Sequence, residues 1–252
     1  MRVVVLFVGP AGSGKSSIVA SYSKWLRENG YLAAAVNLDP AAEYIPYQPD
    51  FDIRGLVDAR RIALERGLGP NGALVEAMEE IARRIDDIAR RIAGLEAEYV
   101  LIDTPGQMEV FLFRDASWRL VDALEDIGSE AYAIFVVDAT IIRRASDYAF
   151  VSLLSTATQL RLGIDTAPVL NKVDAAPSPD LRGDFIRDYG KIARQLRREH
   201  SLYAEMLRDL ARVLFKYTRG VEVPKISAIR GEGLDELHRL IHEMSCNCGD
   251  LT

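Results

Sequence analysis

The chain has little cysteine, histidine or lysine, and it has no long apolar run. Its two cysteines, Cys246 and Cys248, both fall at the extreme C-terminal end. Such a pair offers no disulfide framework and points to a reducing, cytoplasmic compartment. No stretch approaches the ~20 apolar residues needed to cross a bilayer, which argues against a membrane protein. The run Val3–Val8 follows an arginine but is shorter than the roughly 7–15 residues of a leader core, and it leads straight into a glycine-rich turn. It reads as a buried strand. Lysine and arginine total 31 against 37 acidic residues, a formal net charge of −6. That balance lacks the basic footprint of a nucleic-acid-binding surface.

At 252 residues and 49% hydrophobic composition, the chain can bury a sizeable core. Six β-rich runs recur between helical stretches: Val3–Val8, Leu32–Leu38, Tyr99–Ile102, Tyr132–Val137, Val169–Leu170 and Val223–Ser227. Most are continuously apolar, as strands covered on both faces are. The expectation is an α/β fold: a doubly wound, mostly parallel sheet with helices on both faces. With no repeat or low-complexity linker, residues 1–245 read as one domain and 246–252 as a short tail.

Two helical insertions are expected, near 74–95 and 180–218. In the first, Leu74, Met78, Ile81, Ile85, Ile88, Ile92 and Leu95 form an unbroken heptad seam. It suits a helix packed on the sheet or a subunit interface. The second carries Phe185, Tyr189, Ile192, Leu196, Leu207, Leu210 and Leu214 amid many charges, which suits a lid, a partner surface or a structural element.

Residues 9–16 read Gly-Pro-Ala-Gly-Ser-Gly-Lys-Ser directly after the first strand. This is G-x-x-x-x-G-K-[ST] in the strand–turn–helix setting that gives it meaning. Glycines let backbone N–H groups close around phosphate oxygens, and the following helix points its positive end at the same anion. Gly12, Ser13, Gly14, Lys15, Ser16 and Ser17 are therefore expected to bind a nucleoside triphosphate, with Ser16 also ligating Mg²⁺.

Asp103-Thr104-Pro105-Gly106-Gln107 follows the strand Tyr99–Ile102. Asp103 should hold Mg²⁺ through water, Gly106 N–H can sense the γ-phosphate, and Gln107 can orient attacking water. Glu109 could assist or could be a surface carboxylate. Asp39, at the end of the second strand, is the candidate for a further Mg²⁺ contact. Between 39 and 55 no residue is clearly placed as an arginine finger, Arg54 being the one basic candidate. Asn171-Lys172-Val173-Asp174 resembles the guanine-recognition motif of GTP-binding proteins. Asp174 would accept from guanine N1–H and N2–H₂, donors that adenine does not present together. Lys172 would stack along the base, Asn171 would tie this loop to the phosphate loop, and Ser227 and Ala228 resemble the loop that backs the base.

With Asn37–Tyr47 (NLDPAAEYIPY), DTPGQ at 103–107, NKVD at 171–174 and Gly69-Pro70-Asn71 in order between them, the chain resembles the GPN-loop GTPases of archaea and eukaryotes. The resemblance spans residues 1 to about 240. It implies a dimeric GTP-hydrolysing switch, a GTP/GDP cycle with Mg²⁺, and a Gly69–Asn71 loop that reaches the partner's nucleotide site in trans. It also implies a role in assembling or maturing a protein complex, with an RNA polymerase subunit as client. Two other classes compete. His238, His242, Cys246 and Cys248 have the spacing of a metal site, which would suit a GTP-dependent metallochaperone, or are incidental groups at a frayed helix end. A metabolite kinase would share the phosphate loop, but has no use for NKVD.

Overall fold

A computed structural model describes residues 2–143, 145–176, 205, 206, 208–210, 212, 213 and 223–246. Seven parallel strands form one sheet: β1 (Val3–Val8), β2 (Ala33–Asn37), β3 (Phe51–Asp52), β4 (Tyr99–Asp103), β5 (Glu130–Asp138), β6 (Thr166–Asn171) and β7 (Lys225–Ile226). Their order is β3-β2-β4-β1-β5-β6-β7. The helices are α1 (Lys15–Glu28), α2 (Ala59–Arg66), α3 (Pro70–Arg83), α4 (Ile85–Ala93), α5 (Met108–Leu112), α6 (Asp115–Asp126), α7 (Ala145–Leu162) and α8 (Leu234–Ser245).

The first strand shows why the sequence gives a three-layer fold. All six of its side chains are buried. Val4, Leu6 and Val8 join a core with α2, α3, α4, α5 and α6, while Val3, Val5 and Phe7 join one with α1 and α8. A strand's side chains alternate between faces, so a strand apolar at every position must be covered on both.

The expected strands are all present, and every pairing among the described strands is parallel. β3 was not expected. Only two residues long, it pairs with Val36 and Asn37 at the sheet edge and is too short to leave a periodic signal. β6 starts earlier than expected and includes Pro168, which has no N–H to give. Among the described strands β6 there has only β5 beside it, because β7 begins opposite Leu170, so the edge tolerates proline.

The heptad seam is a correction. It runs through two helices, not one, broken at Arg84, whose φ of −105° and ψ of 13° leave the helical region. Leu74, Met78, Ile81, Ile85, Ile88 and Ile92 are all buried in this chain's own core. Arg2 closes the far end, donating to the carbonyl of Ala93 at the end of α4 and to those of Leu95 and Ala97 in the turn beyond it. Most of the stretch near 180–218 lies outside the described residues.

Candidate nucleotide site

Four strands, two on each side of β1, end in a polar residue at the same edge: Asn37 on β2, Asp103 on β4, Asp138 on β5 and Asn171 on β6. This is the carboxyl edge, where ligands collect in open α/β sheets. The glycine-rich turn leaves β1 in their midst. Gly14 caps α1 with φ 93°, and a Cβ there would lie 2.3 Å from Asn171 Nδ2. Only glycine meets both demands.

Lys15 is almost wholly buried. Its Nζ donates to Gly9 O at 2.9 Å and to Pro10 O at 3.2 Å. Burial pulls its pKa down, and the carboxylates of Asp103 and Asp39 oppose that pull. Asp103 is 2% exposed. Burial pushes its carboxyl up to about 6 against the Ser16 hydroxyl, the Lys15 ammonium and the Tyr47 hydroxyl. Asp103 Oδ2 accepts from Tyr47 at 3.0 Å, whereas Oδ1 has no hydrogen-bond partner among the described residues. An orphaned buried carboxylate oxygen, a second carboxylate nearby and the Ser16 hydroxyl form a donor set that fits a small divalent cation. Ser16, Asp103 and Asp39 would hold Mg²⁺.

Asp39 grips the segment after β4. Its Oδ1 accepts from Ala41 N–H at 2.9 Å and its Oδ2 from Gly106 N–H at 3.1 Å. Gly106 N–H, expected to sense phosphate, is thus bonded to Asp39. Gln107 Nε2 donates to Asn71 Oδ1 at 3.2 Å, which brings the Gly-Pro-Asn turn beside the chain's own catalytic candidate. Gly69 caps α3 and Pro70 fills its first turn, where a missing N–H does no harm. Ser17 lies in the first turn of α1 and Glu109 is exposed on α5. Arg54 donates to both oxygens of Asp52 and to Ala42 O, so its guanidinium is committed away from the phosphate turn.

The base end is equally connected. Asn171 donates from Nδ2 to Ser13 O at 3.0 Å and accepts at Oδ1 from Ala228 N–H at 3.2 Å, joining the phosphate loop to the 227–228 loop. Ser227 donates to Asp174 Oδ1 at 2.7 Å. Lys172 has φ 63° and donates to Gly12 O and, at 2.6 Å, to Asp138 Oδ2. Asp138 and Tyr47 were missed in the sequence. An acid closing an apolar strand, as Asp103 does, was the signal for Asp138; a tyrosine in a loop carries none.

Of the C-terminal His/Cys run, the described members His238, His242 and Cys246 do not gather at one point. His238 is enclosed by the rings of Tyr22, Trp25, Tyr31 and Tyr99, and its Nδ1 pairs with Tyr22 OH at 2.9 Å. Cys246 Sγ lies 3.5 Å from His242 Nδ1. Among the described residues no three His, Cys, Asp or Glu side chains gather as a metal site, and Cys248 lies outside them. Nor is any helix of the described residues long and apolar enough to cross a membrane.

A family model described as "conserved hypothetical ATP binding protein" matches residues 7–247. The chain is 35% identical to GPN-loop GTPase PAB0955 of Pyrococcus abyssi over 254 residues, covering 99% of this chain and 100% of that protein. It belongs to the GPN-loop GTPase family. The crystal structure of PAB0955, a GTPase in apo form, matches with a TM-score of 0.87 at 34% identity, with 98% of each chain covered. GPN-loop GTPase 3 of Dictyostelium discoideum is 35% identical over 177 residues; the match spans 70% of this chain and 62% of that longer relative.

Proposed function

We infer that this chain binds GTP and hydrolyses it to GDP and phosphate. The observation that carries the reading is the Asn171 bridge. One side chain links the phosphate loop at Ser13 to the loop at Ala228, and Asp174 stands beside it, held by Ser227. A carboxylate fixed there matches the adjacent N1–H and N2–H₂ donors of guanine, whereas adenine N1 would oppose it as an acceptor. Buried mismatches of that kind cost ~1–3 kcal/mol each. The relatives' names point to GTP although the family description says ATP.

In this reading the N–H groups of residues 12–17 and Lys15 hold the phosphates. Gln107 orients a water, whose oxygen forms the new bond to the γ-phosphorus as the β–γ bridging bond breaks and GDP leaves. Mg²⁺, when bound at Ser16, Asp103 and Asp39, supplies charge neutralisation on the phosphate oxygens. Arg54, the one arginine of the 39–55 segment, is held by Asp52 and Ala42 O, so turnover should be slow, as a switch requires. The reading extends to a homodimer whose Gly69–Asn71 loop completes the partner's site, and to assembly of a protein complex with an RNA polymerase subunit as client. Family membership supports the dimer; the Asn71–Gln107 bond, made within one chain, supports Asn71 acting beside the attacking water but gives no support to its acting in trans.

Titration calorimetry with GDP and ADP, together with phosphate release from GTP and ATP, tests the reading. GTP should be preferred by at least about a hundredfold. Equal use of both nucleotides would overturn it.

A further inference from the structure

Tyr47 sits in the irregular stretch between β2 and β3, which has no helix or strand of its own. Its ring is nevertheless half-buried against the core shared by β1, α1 and α8. Its hydroxyl donates to Asp103 Oδ2 at 3.0 Å.

The geometry bears on a choice that Asp103 does not make for itself. Rotation about the terminal bond of an aspartate is broad and roughly two-fold, so either oxygen could face a cation. The Tyr47 bond engages Oδ2 and leaves Oδ1 buried without a partner. A charged oxygen enclosed in that way is unfavourable unless a cation takes it up.

We propose that Tyr47 is a positioning residue for the divalent cation: its hydroxyl locks the Asp103 carboxylate so that Oδ1 is presented to the metal that accompanies the nucleotide. The proposal rests on the reading of this edge as a Mg²⁺–GTP site. It also gives the 39–47 stretch two grips, Tyr47 on Asp103 at the end of β4 and Asp39 on Gly106 N–H in the segment after it. The cation's grip is thereby tied to the conformation of that stretch. A tyrosine that merely packs would need only its ring.

The test uses Mn²⁺ as a spin-active probe on the full chain loaded with GDP, comparing parent, Tyr47→Phe, Asp103→Asn and the double variant. Tyr47→Phe should weaken Mn²⁺ binding about tenfold or more, the usual worth of a hydrogen bond to a charged group. GDP affinity in EDTA should stay within about twofold of the parent, because the phenylalanine ring keeps the packing. In the Asp103→Asn background, Tyr47→Phe should add nothing, as expected for two residues acting as a unit. Parental Mn²⁺ affinity in Tyr47→Phe overturns the proposal, with or without a lower melting temperature. So does an equal further loss in the Asp103→Asn background. If the parent–GDP complex binds Mn²⁺ no better than free GDP, the metal-site reading itself fails and takes the proposal with it.

Discussion

Gln107 Nε2 donates to Asn71 Oδ1 at 3.2 Å, joining the residue after D-x-x-G to the turn that opens α3. With one amide N–H donated to Asn71, the Gln107 carbonyl oxygen can accept a hydrogen bond from the attacking water. Gln107→Leu removes this amide while sparing the phosphate loop. GTP should still bind, and turnover should fall by roughly 10²-fold, or ~2.7 kcal/mol. Unaltered single-turnover hydrolysis would take Gln107 out of the mechanism.

Asn71→Ala should leave GTP binding largely intact and slow hydrolysis. Mixed with Lys15→Ala subunits, it should recover part of the lost activity if the loop works in trans. In such a heterodimer the Asn71→Ala chain has an intact phosphate loop and receives Asn71 from its partner. Activity no greater than the sum of the two variants, in verified heterodimers, would assign Asn71 to the Gln107 of its own chain.

Asp174→Asn should exchange guanine for xanthine. The new amide can donate to the C2 carbonyl of xanthine, while it loses the acceptor pair that guanine needs. XDP should bind the variant better than GDP does; a variant that simply loses both would leave base recognition to other groups.

Arg54 is the one basic side chain that the sequence offers near the first switch stretch as an arginine finger, and the structure occupies it with Asp52 and Ala42 O. Arg54→Lys should therefore change kcat by no more than about threefold. A true finger is worth ~10³–10⁵ in kcat, so a loss on that scale would show that Arg54 swings to the phosphates.

The sheet was legible because both-face burial writes itself as unbroken apolar runs such as VVVLFV. The phosphate turn was legible because its glycines are forced by geometry, as at Gly14 against Asn171. Tyr47 and Asp138 were not, since the contacts that bring them to the site, with Asp103 and Lys172, are to residues distant in the chain, and such a partner leaves no periodic trace. The break at Arg84 was hidden for a different reason. The apolar spacing runs on through it, so the seam reports which side is buried but not where the backbone turns.

That seam gives a stability prediction. Ile88 is fully buried inside this chain's core. Ile88→Ala should lower unfolding free energy by ~2–5 kcal/mol through lost burial and the cavity left behind. Oligomeric state, measured by light scattering on the folded fraction, should not change. A clean shift in association with little loss of stability would return the seam to the subunit interface.

Asp103 makes the stability of the chain depend on pH. Unfolded, its carboxyl titrates near 3.9; folded, burial raises it to about 6. Between those values the folded chain keeps a proton that the unfolded chain has released. Stability contributed by this group is therefore present below about pH 4, and is lost as the pH rises toward about 6. Asp103→Asn carries no such proton. In EDTA and without nucleotide, the parent should lose stability relative to Asp103→Asn between pH 4.5 and 7, measured by urea denaturation. Mg²⁺ with GDP should reverse the trend for the parent, because it binds the ionised carboxylate and so stabilises the folded state more at pH 7 than at pH 5. Parallel pH profiles for the two proteins in EDTA would mean that Asp103 is already ionised at low pH and that its burial is relieved by other groups.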